Sequence, residues 1–258
     1  MNQKNIWWWI GGSVIAVIAL VMAGLFISQT VPMPDKNPVN ATVTTTKQTI
    51  QKDDGMSKID IEYPMISGVS QAINDTIQEV LNTRIEEFKK IVAENEQARI
   101  DTNKNLPVSE QRPVRPDPSD YWYSLYIRYN TGIITNQTIS VVFFVDEYSG
   151  GAHGNKSFIP FNYDIVQDRT ITLADVFIHD ARYLNRISEY VYRDIVTQIT
   201  ALDPSQEPLM DWIQRGTDPQ IDNFLNFTLG ENTITFYIPP YQVAAYALGD
   251  FQVTMPLQ

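Results

Sequence analysis

The densest set of residues able to do chemistry lies between Asp146 and Asn155, which reads Asp-Glu-Tyr-Ser-Gly-Gly-Ala-His-Gly-Asn. It sets two carboxylates, a serine and a histidine beside Gly150, Gly151 and Gly154. One chemistry open to it is nucleophilic catalysis, with Ser149 attacking and His153 as its base. That chemistry needs hydrogen-bond reach between the two, a third group to orient the imidazole, and donors for an oxyanion. Here every candidate sits on one short loop, and the chain has no G-x-S-x-G turn. The other reading is structural. The glycines permit a sharp turn, and His153 hydrogen-bonds to hold it. This second reading is the expectation, so no catalytic residue is assigned.

A second candidate lies near the C-terminus, at Tyr237-Ile-Pro-Pro-Tyr-Gln-Val-Ala-Ala-Tyr-Ala-Leu-Gly249. Pro239 and Pro240 stiffen this turn, and Tyr241 and Tyr246 are amphipathic side chains of the kind that anchor interfaces. They can equally cover a sheet edge. Pro239, Pro240, Tyr241 and Tyr246, with Ser149 and His153, form the candidate ligand-binding set. Tyr121, Trp122, Tyr123 and Tyr126 offer either a sugar-stacking platform or core packing. No metal or cofactor is expected. Cysteine is absent, His153 and His179 are the only histidines, and neither Asp53-Asp54-Gly55 nor Asp117 with Asp120 follows a calcium-loop pattern.

The chain carries 19 Lys and Arg against 30 Asp and Glu, a formal net charge of −11. Nucleic acid is therefore not an expected partner, whereas a basic protein would be attracted.

Ile6 to Ile27 holds no charged residue and is long enough to span a bilayer. Trp7, Trp8 and Trp9 sit at its edge, and Lys4 precedes it. These features predict a single-pass anchor, with residues 1–5 in the cytoplasm and the rest of the chain outside it. Residues 28–55, with Pro32, Pro34, Pro38 and a threonine-rich run, read as a flexible tether. Beyond it, Val69, Ile73, Ile77, Leu81, Ile85 and Phe88 recur at helical spacing, as do Leu184, Ile187, Val191, Ile195 and Ile199. Alternating segments mark strands at 58–63, 121–129, 139–145 and 158–165. Asn130 to Gly132 reads as the turn joining the second and third. Ile139 to Val145 is apolar on both faces, as a central strand requires. Thr172-Leu-Ala-Asp175 is a helix-start signal. The expected fold is α+β: an antiparallel sheet with two long helices packed on one face, in halves covering 56–155 and 156–258.

Four stretches together carry a resemblance. They are Asp146 to Asn155 with Phe161-Asn-Tyr-Asp164, Ile171-Thr-Leu-Ala-Asp-Val-Phe177, and Phe236 to Gly249. About residues 56–256 resemble the bacterial extracytoplasmic domain shared by lysozyme-sensing anti-sigma factors of the RsiV type and by peptidoglycan deacetylases of the PdaC type. In the deacetylases it forms the non-catalytic N-terminal region. The resemblance implies a cell-envelope ligand, either peptidoglycan or a lysozyme-like protein. Met1 to Asn5 are too few to grip a sigma factor, and no metal-dependent catalytic domain follows. The expectation is thus a binding or sensing module without an output domain. A hydrolase using Ser149 and His153 is the alternative.

Overall fold

Val, Ile, Tyr, Phe and Thr dominate the strand segments, and their two-residue alternation is what a half-buried strand needs. The computed structural model describes residues 43–111, 123–202 and 209–257. The apolar span at 6–27, Tyr121, Trp122, Asp117 and Asp120 lie outside those residues. Among the described residues, no helix is long and apolar enough to cross a membrane.

Strands β1 (Thr44–Asp53), β2 (Ser57–Ser67), β3 (Tyr123–Ile134), β4 (Thr138–Tyr148), β5 (Asn155–Asp164) and β6 (Arg169–Thr170) form one sheet in that order. β2 and β3 pair in parallel, from Ser57 opposite Tyr123 to Ile61 opposite Ile127. All the other pairs are antiparallel. The sheet is therefore mixed, where an antiparallel one was expected. A parallel pair needs a crossover connection, and helix α1 (Gln71–Lys104) supplies it.

α1 begins at Ser70, whose side chain accepts from the Ala72 amide at 3.2 Å. It is fastened to β2 by Asn74, which exchanges hydrogen bonds of 2.9 and 2.8 Å with the backbone of Ile66. Its stripe of Ile73, Ile77, Leu81, Ile85 and Phe88 packs on the face of the sheet built by Ile59, Ile61, Leu125, Ile127, Val141 and Phe143.

The second half of the chain makes a smaller layer. Helices α2 (Leu173–Val176), α3 (Tyr183–Leu202) and α4 (Met210–Thr217) precede a three-stranded antiparallel sheet of β7 (Phe227–Leu229), β8 (Thr233–Ile238) and β9 (Phe251–Pro256). α3 covers this second sheet through Ile187, Val191, Ile195 and Ile199, which pack with Ile234, Phe236 and Val253. The two long helices thus serve two different sheets and do not share one face. Each amphipathic stripe needs its own apolar partner, and the chain provides two.

The small sheet lies on the face of the large one opposite α1. Ser140 Oγ accepts from the Leu229 amide at 2.7 Å and donates to Asn162 Oδ1 at 2.6 Å; Asn162 Nδ2 donates to the Phe227 carbonyl at 2.9 Å. Ser140 and Asn162 are opposite each other on β4 and β5, and both are buried. They satisfy β7 backbone groups that burial would otherwise leave unpaired. Val142, Phe144, Phe158 and Tyr237 fill the space beside them.

Three local expectations change. Residues 44–53, assigned to the tether, form β1. Their β-branched threonines suit a strand, and they cover one edge of β2. Pro64 lies inside β2, beyond the last residue that pairs with β3, so only one side of the strand has a ladder there. Asn130 to Gly132 belongs to β3, and the turn falls at Thr135–Thr138, where the Thr135 amide donates to the Thr138 carbonyl at 2.8 Å. Thr172 and Asp175 do form a reciprocal capping box. β5 begins at the expected division between halves, and residues 41–258 make one compact unit.

Candidate functional site

The glycine–histidine loop joins β4 to β5, and the Pro–Tyr turn joins β8 to β9. Strand pairing brings these two distant segments to one rim of the molecule. His153 Nδ1 lies 2.7 Å from the Gly154 carbonyl, which only accepts, so Nδ1 carries the proton. In the neutral ring Nε2 is then an acceptor, and it receives the Tyr241 hydroxyl at 3.0 Å. The imidazole stacks on Tyr246 with ring centroids 3.9 Å apart, and Tyr241 and Tyr246 are 5.6 Å apart. The result is a three-ring cluster at the surface, with Tyr241 53% exposed.

Tyr241 has φ 71°, a left-handed backbone that is unfavourable for a side chain of its size. The surrounding structure holds it there. Trp212 Nε1 donates to the Tyr241 carbonyl at 3.0 Å, and Gln242 Nε2 donates to the carbonyls of Gly216 and Asn223 at 2.8 and 3.0 Å. A Cβ at Gly216 would stand 2.1 Å from the Gln242 carbonyl oxygen, so only glycine admits the turn this close to α4. Strain that a scaffold enforces on an exposed aromatic residue is characteristic of binding sites.

The loop is also supported from below. Asn95 on α1 donates to the Ser149 carbonyl at 2.6 Å, and the Tyr148 hydroxyl donates to the Gly151 carbonyl at 3.0 Å. Glu147 points into the core and pairs with Arg84 of α1, both being buried. Arg84 also reaches Glu87 at 3.3 Å. Burial pushes the Glu147 carboxyl above its ordinary range, opposed by the Arg84 charge and by a hydrogen bond from the Ser149 side chain. Ser149 therefore faces Glu147. The imidazole has both nitrogens engaged elsewhere, and no hydrogen bond among the described residues joins the two.

Of the residues singled out by sequence, His153, Tyr241 and Tyr246 come together. Pro239 and Pro240 lead into the turn and are half-buried, and Gly150 and Gly151 adopt φ 104° and 111° as a sharp turn demands. Ser149 stands apart. Arg84, Trp212 and Gly216 escaped the sequence reading, and Glu147 was noted only as one of the loop's two carboxylates. Arg84 left one signal: it occupies a position of the apolar stripe, three residues after Leu81 and four before Phe88. Among the described residues, no group of three or more His, Asp or Glu is placed to hold a metal ion.

His153→Ala removes two hydrogen bonds and a ring stack from an exposed loop. A loss of about 1–2 kcal/mol in stability is expected, measured by urea denaturation. No change in the unfolding midpoint would mean that the loop holds its shape without the imidazole.

Two family models match the chain. Residues 50–156 match the family described as Deacetylase PdaC, and residues 174–258 match Protein of unknown function (DUF3298). The chain is thus similar to a different family over each of two successive segments. His153 comes from the first segment and both tyrosines from the second, so the ring cluster is assembled across them. The peptidoglycan-N-acetylmuramic acid deacetylase PdaC of Bacillus subtilis (strain 168) is 31% identical over 131 residues, 51% of this chain and 27% of that protein. The chain thus spans about a quarter of that relative's length. A crystal structure of a DUF3298 family member from Bacteroides fragilis shares the fold, with a TM-score of 0.50 at 17% identity, covering 83% of this chain and 90% of that one.

Proposed function

We propose that the chain is a membrane-anchored binding module that presents this domain outside the cytoplasm and recognises the glycan of the cell wall. The observation that carries the reading is the exposed ring cluster of His153, Tyr241 and Tyr246. A rigid aromatic surface edged by hydroxyl groups suits a sugar ring, which offers an apolar face and a polar rim. The engagement of both imidazole nitrogens favours binding over hydrolysis by Ser149. The similarity of part of the chain to a peptidoglycan deacetylase supports this choice of ligand class. The net charge of −11 favours a second reading, a basic lysozyme-like protein as the ligand, because opposite charge steers association.

The full chain in detergent is tested for co-sedimentation with purified peptidoglycan and for capture by immobilised lysozyme. Tyr246→Ala removes the stacking partner of His153, and loss of an interface anchor commonly costs about 2 kcal/mol or more, which is roughly thirtyfold in affinity. Binding of neither ligand defeats the reading. Binding within twofold of wild type by Tyr246→Ala and Tyr241→Ala places the ligand elsewhere. A reporter fused after Gln258 that is active only in the cytoplasm defeats the orientation.

A further inference from the structure

A cleft of about 260 Å³ opens on the outer face of the large sheet, on the strands that flank the glycine–histidine loop. Strand register sets its floor. Across β3, β4 and β5, Tyr126 stands opposite Asp146 and Asp146 opposite Lys156; one step further, Arg128 stands opposite Phe144 and Phe144 opposite Phe158. The next steps of the same face are covered by the small sheet through Tyr237 and β7. The first row stays open, the second is partly covered where Tyr237 meets Phe144 and Phe158, and Asp250, just before β9, closes one wall.

Both signs of charge line this cleft. Lys156 is a cation and Asp146 and Asp250 are anions, while Arg128 is already engaged by Asp60 and, at 3.9 Å, by Glu62, in a chain whose net charge is −11. Lys156 and Asp250 are 3.7 Å apart and partly exposed, a loose pair that a ligand can open at little cost. Arg128 reaches Asp60 at 3.1 Å, which fixes its guanidinium at the rim. A polyanion would meet Asp146 and Asp250, and a polycation would meet Lys156. A ligand carrying one charge of each sign close together satisfies both signs, and Tyr126 and Phe144 give it an apolar floor.

We infer that this cleft is a second ligand site and takes a short zwitterionic peptide. The ammonium group of the peptide lies at Asp146 and Asp250, and its carboxylate at Lys156. The source of the peptide rests on the cell-wall reading above, since wall glycan carries short peptides bearing both charges. The cleft and the ring cluster share their supports: Lys156 follows His153 by three residues, and Asp250 follows Tyr246 by four. A glycan on the rings can therefore place its peptide in the cleft.

The probe is the tripeptide Ala-Ala-Ala with free termini, titrated calorimetrically into the full chain in detergent. Its N-acetylated, C-amidated form is the comparison. Blocking the termini is expected to weaken binding about tenfold, and Asp146→Asn and Lys156→Gln by about fivefold each. Circular dichroism verifies that each variant is folded, and a variant that fails to fold is replaced by Asp250→Asn. Absence of saturable binding overturns the proposal, as does equal binding of free and blocked peptides, or binding by the folded variants within twofold of wild type. If whole peptidoglycan still binds while the peptide does not, the cleft assignment alone falls. If the peptide binds as expected and peptidoglycan does not, the cleft stands and the cell-wall reading falls.

Discussion

Arg84→Ala is expected to destabilise the domain by about 3–5 kcal/mol at neutral pH, because it leaves the buried Glu147 carboxylate without its counter-charge. The pair itself stabilises little, since burial has already raised the Glu147 carboxyl despite the adjacent guanidinium. Removing the guanidinium raises it further. A carboxyl that binds its proton more tightly folded than unfolded contributes stability that is full below its unfolded value and lost as pH rises through its folded value. The penalty of Arg84→Ala should therefore shrink as pH falls and grow as pH rises. Replacing both residues, Arg84→Leu with Glu147→Leu, removes the stranded charge and should cost less than Arg84→Ala alone. Denaturation at pH 5 and pH 8 decides the matter. A pH-independent penalty, or a double variant worse than the single one, would sink this account.

Gly132→Ala should also cost about 3 kcal/mol or more, although it adds one methyl group. A Cβ there would stand 2.2 Å from the Leu229 carbonyl oxygen, which is backbone and cannot swing aside. β7 must lift from the large sheet, and overpacking of this kind costs about 1–3 kcal/mol by itself. Lifting also stretches the bonds from Leu229 to Ser140 and from Asn162 to Phe227, and each buried polar group left unpaired adds about 1–3 kcal/mol. Urea unfolding measures the loss. A Gly132→Ala protein within 1 kcal/mol of wild type would show that the two sheets can separate slightly without consequence.

Gly132 also shows where the sequence misled. Asn130 to Gly132 has the composition of a hairpin turn, yet the glycine is there to let another strand approach closely. Composition carries local backbone preference and does not reveal a partner almost a hundred residues away. The same limit explains the parallel pairing of β2 and β3. Alternation in each strand marks which side is apolar, and it is silent about direction and neighbour. The helices were legible because their stripes are long and regular, and the capping box at Thr172 because it spans only four residues. At the site, His153, Tyr241 and Tyr246 were legible one by one as residues suited to binding. Their convergence was not, because it depends on β8 lying across the sheet that carries the loop. Arg84 was passed over because a charged residue in an apolar stripe makes sense only once Glu147 is seen beneath the loop.

The parallel seam between β2 and β3 imposes an order on assembly. Every other ladder joins strands connected by a turn or by a loop no longer than residues 239–250, and can close as soon as both strands exist. The seam joins Ser57 to Tyr123, so it waits for α1 and the polar segment after it. Chain closure over that distance is entropically costly, and such non-local pairings are the slow steps of folding. A chain emerging N-terminus first therefore holds β1 and β2 as a lone hairpin, which is marginal by itself, with the far edge of β2 bare. Ile59 and Ile61 stand on that edge, and they end fully covered only when β3 arrives. In the interval the segment is open to pairing with another copy of itself, so the yield of folded protein should depend on chain concentration during refolding even where the finished domain is stable.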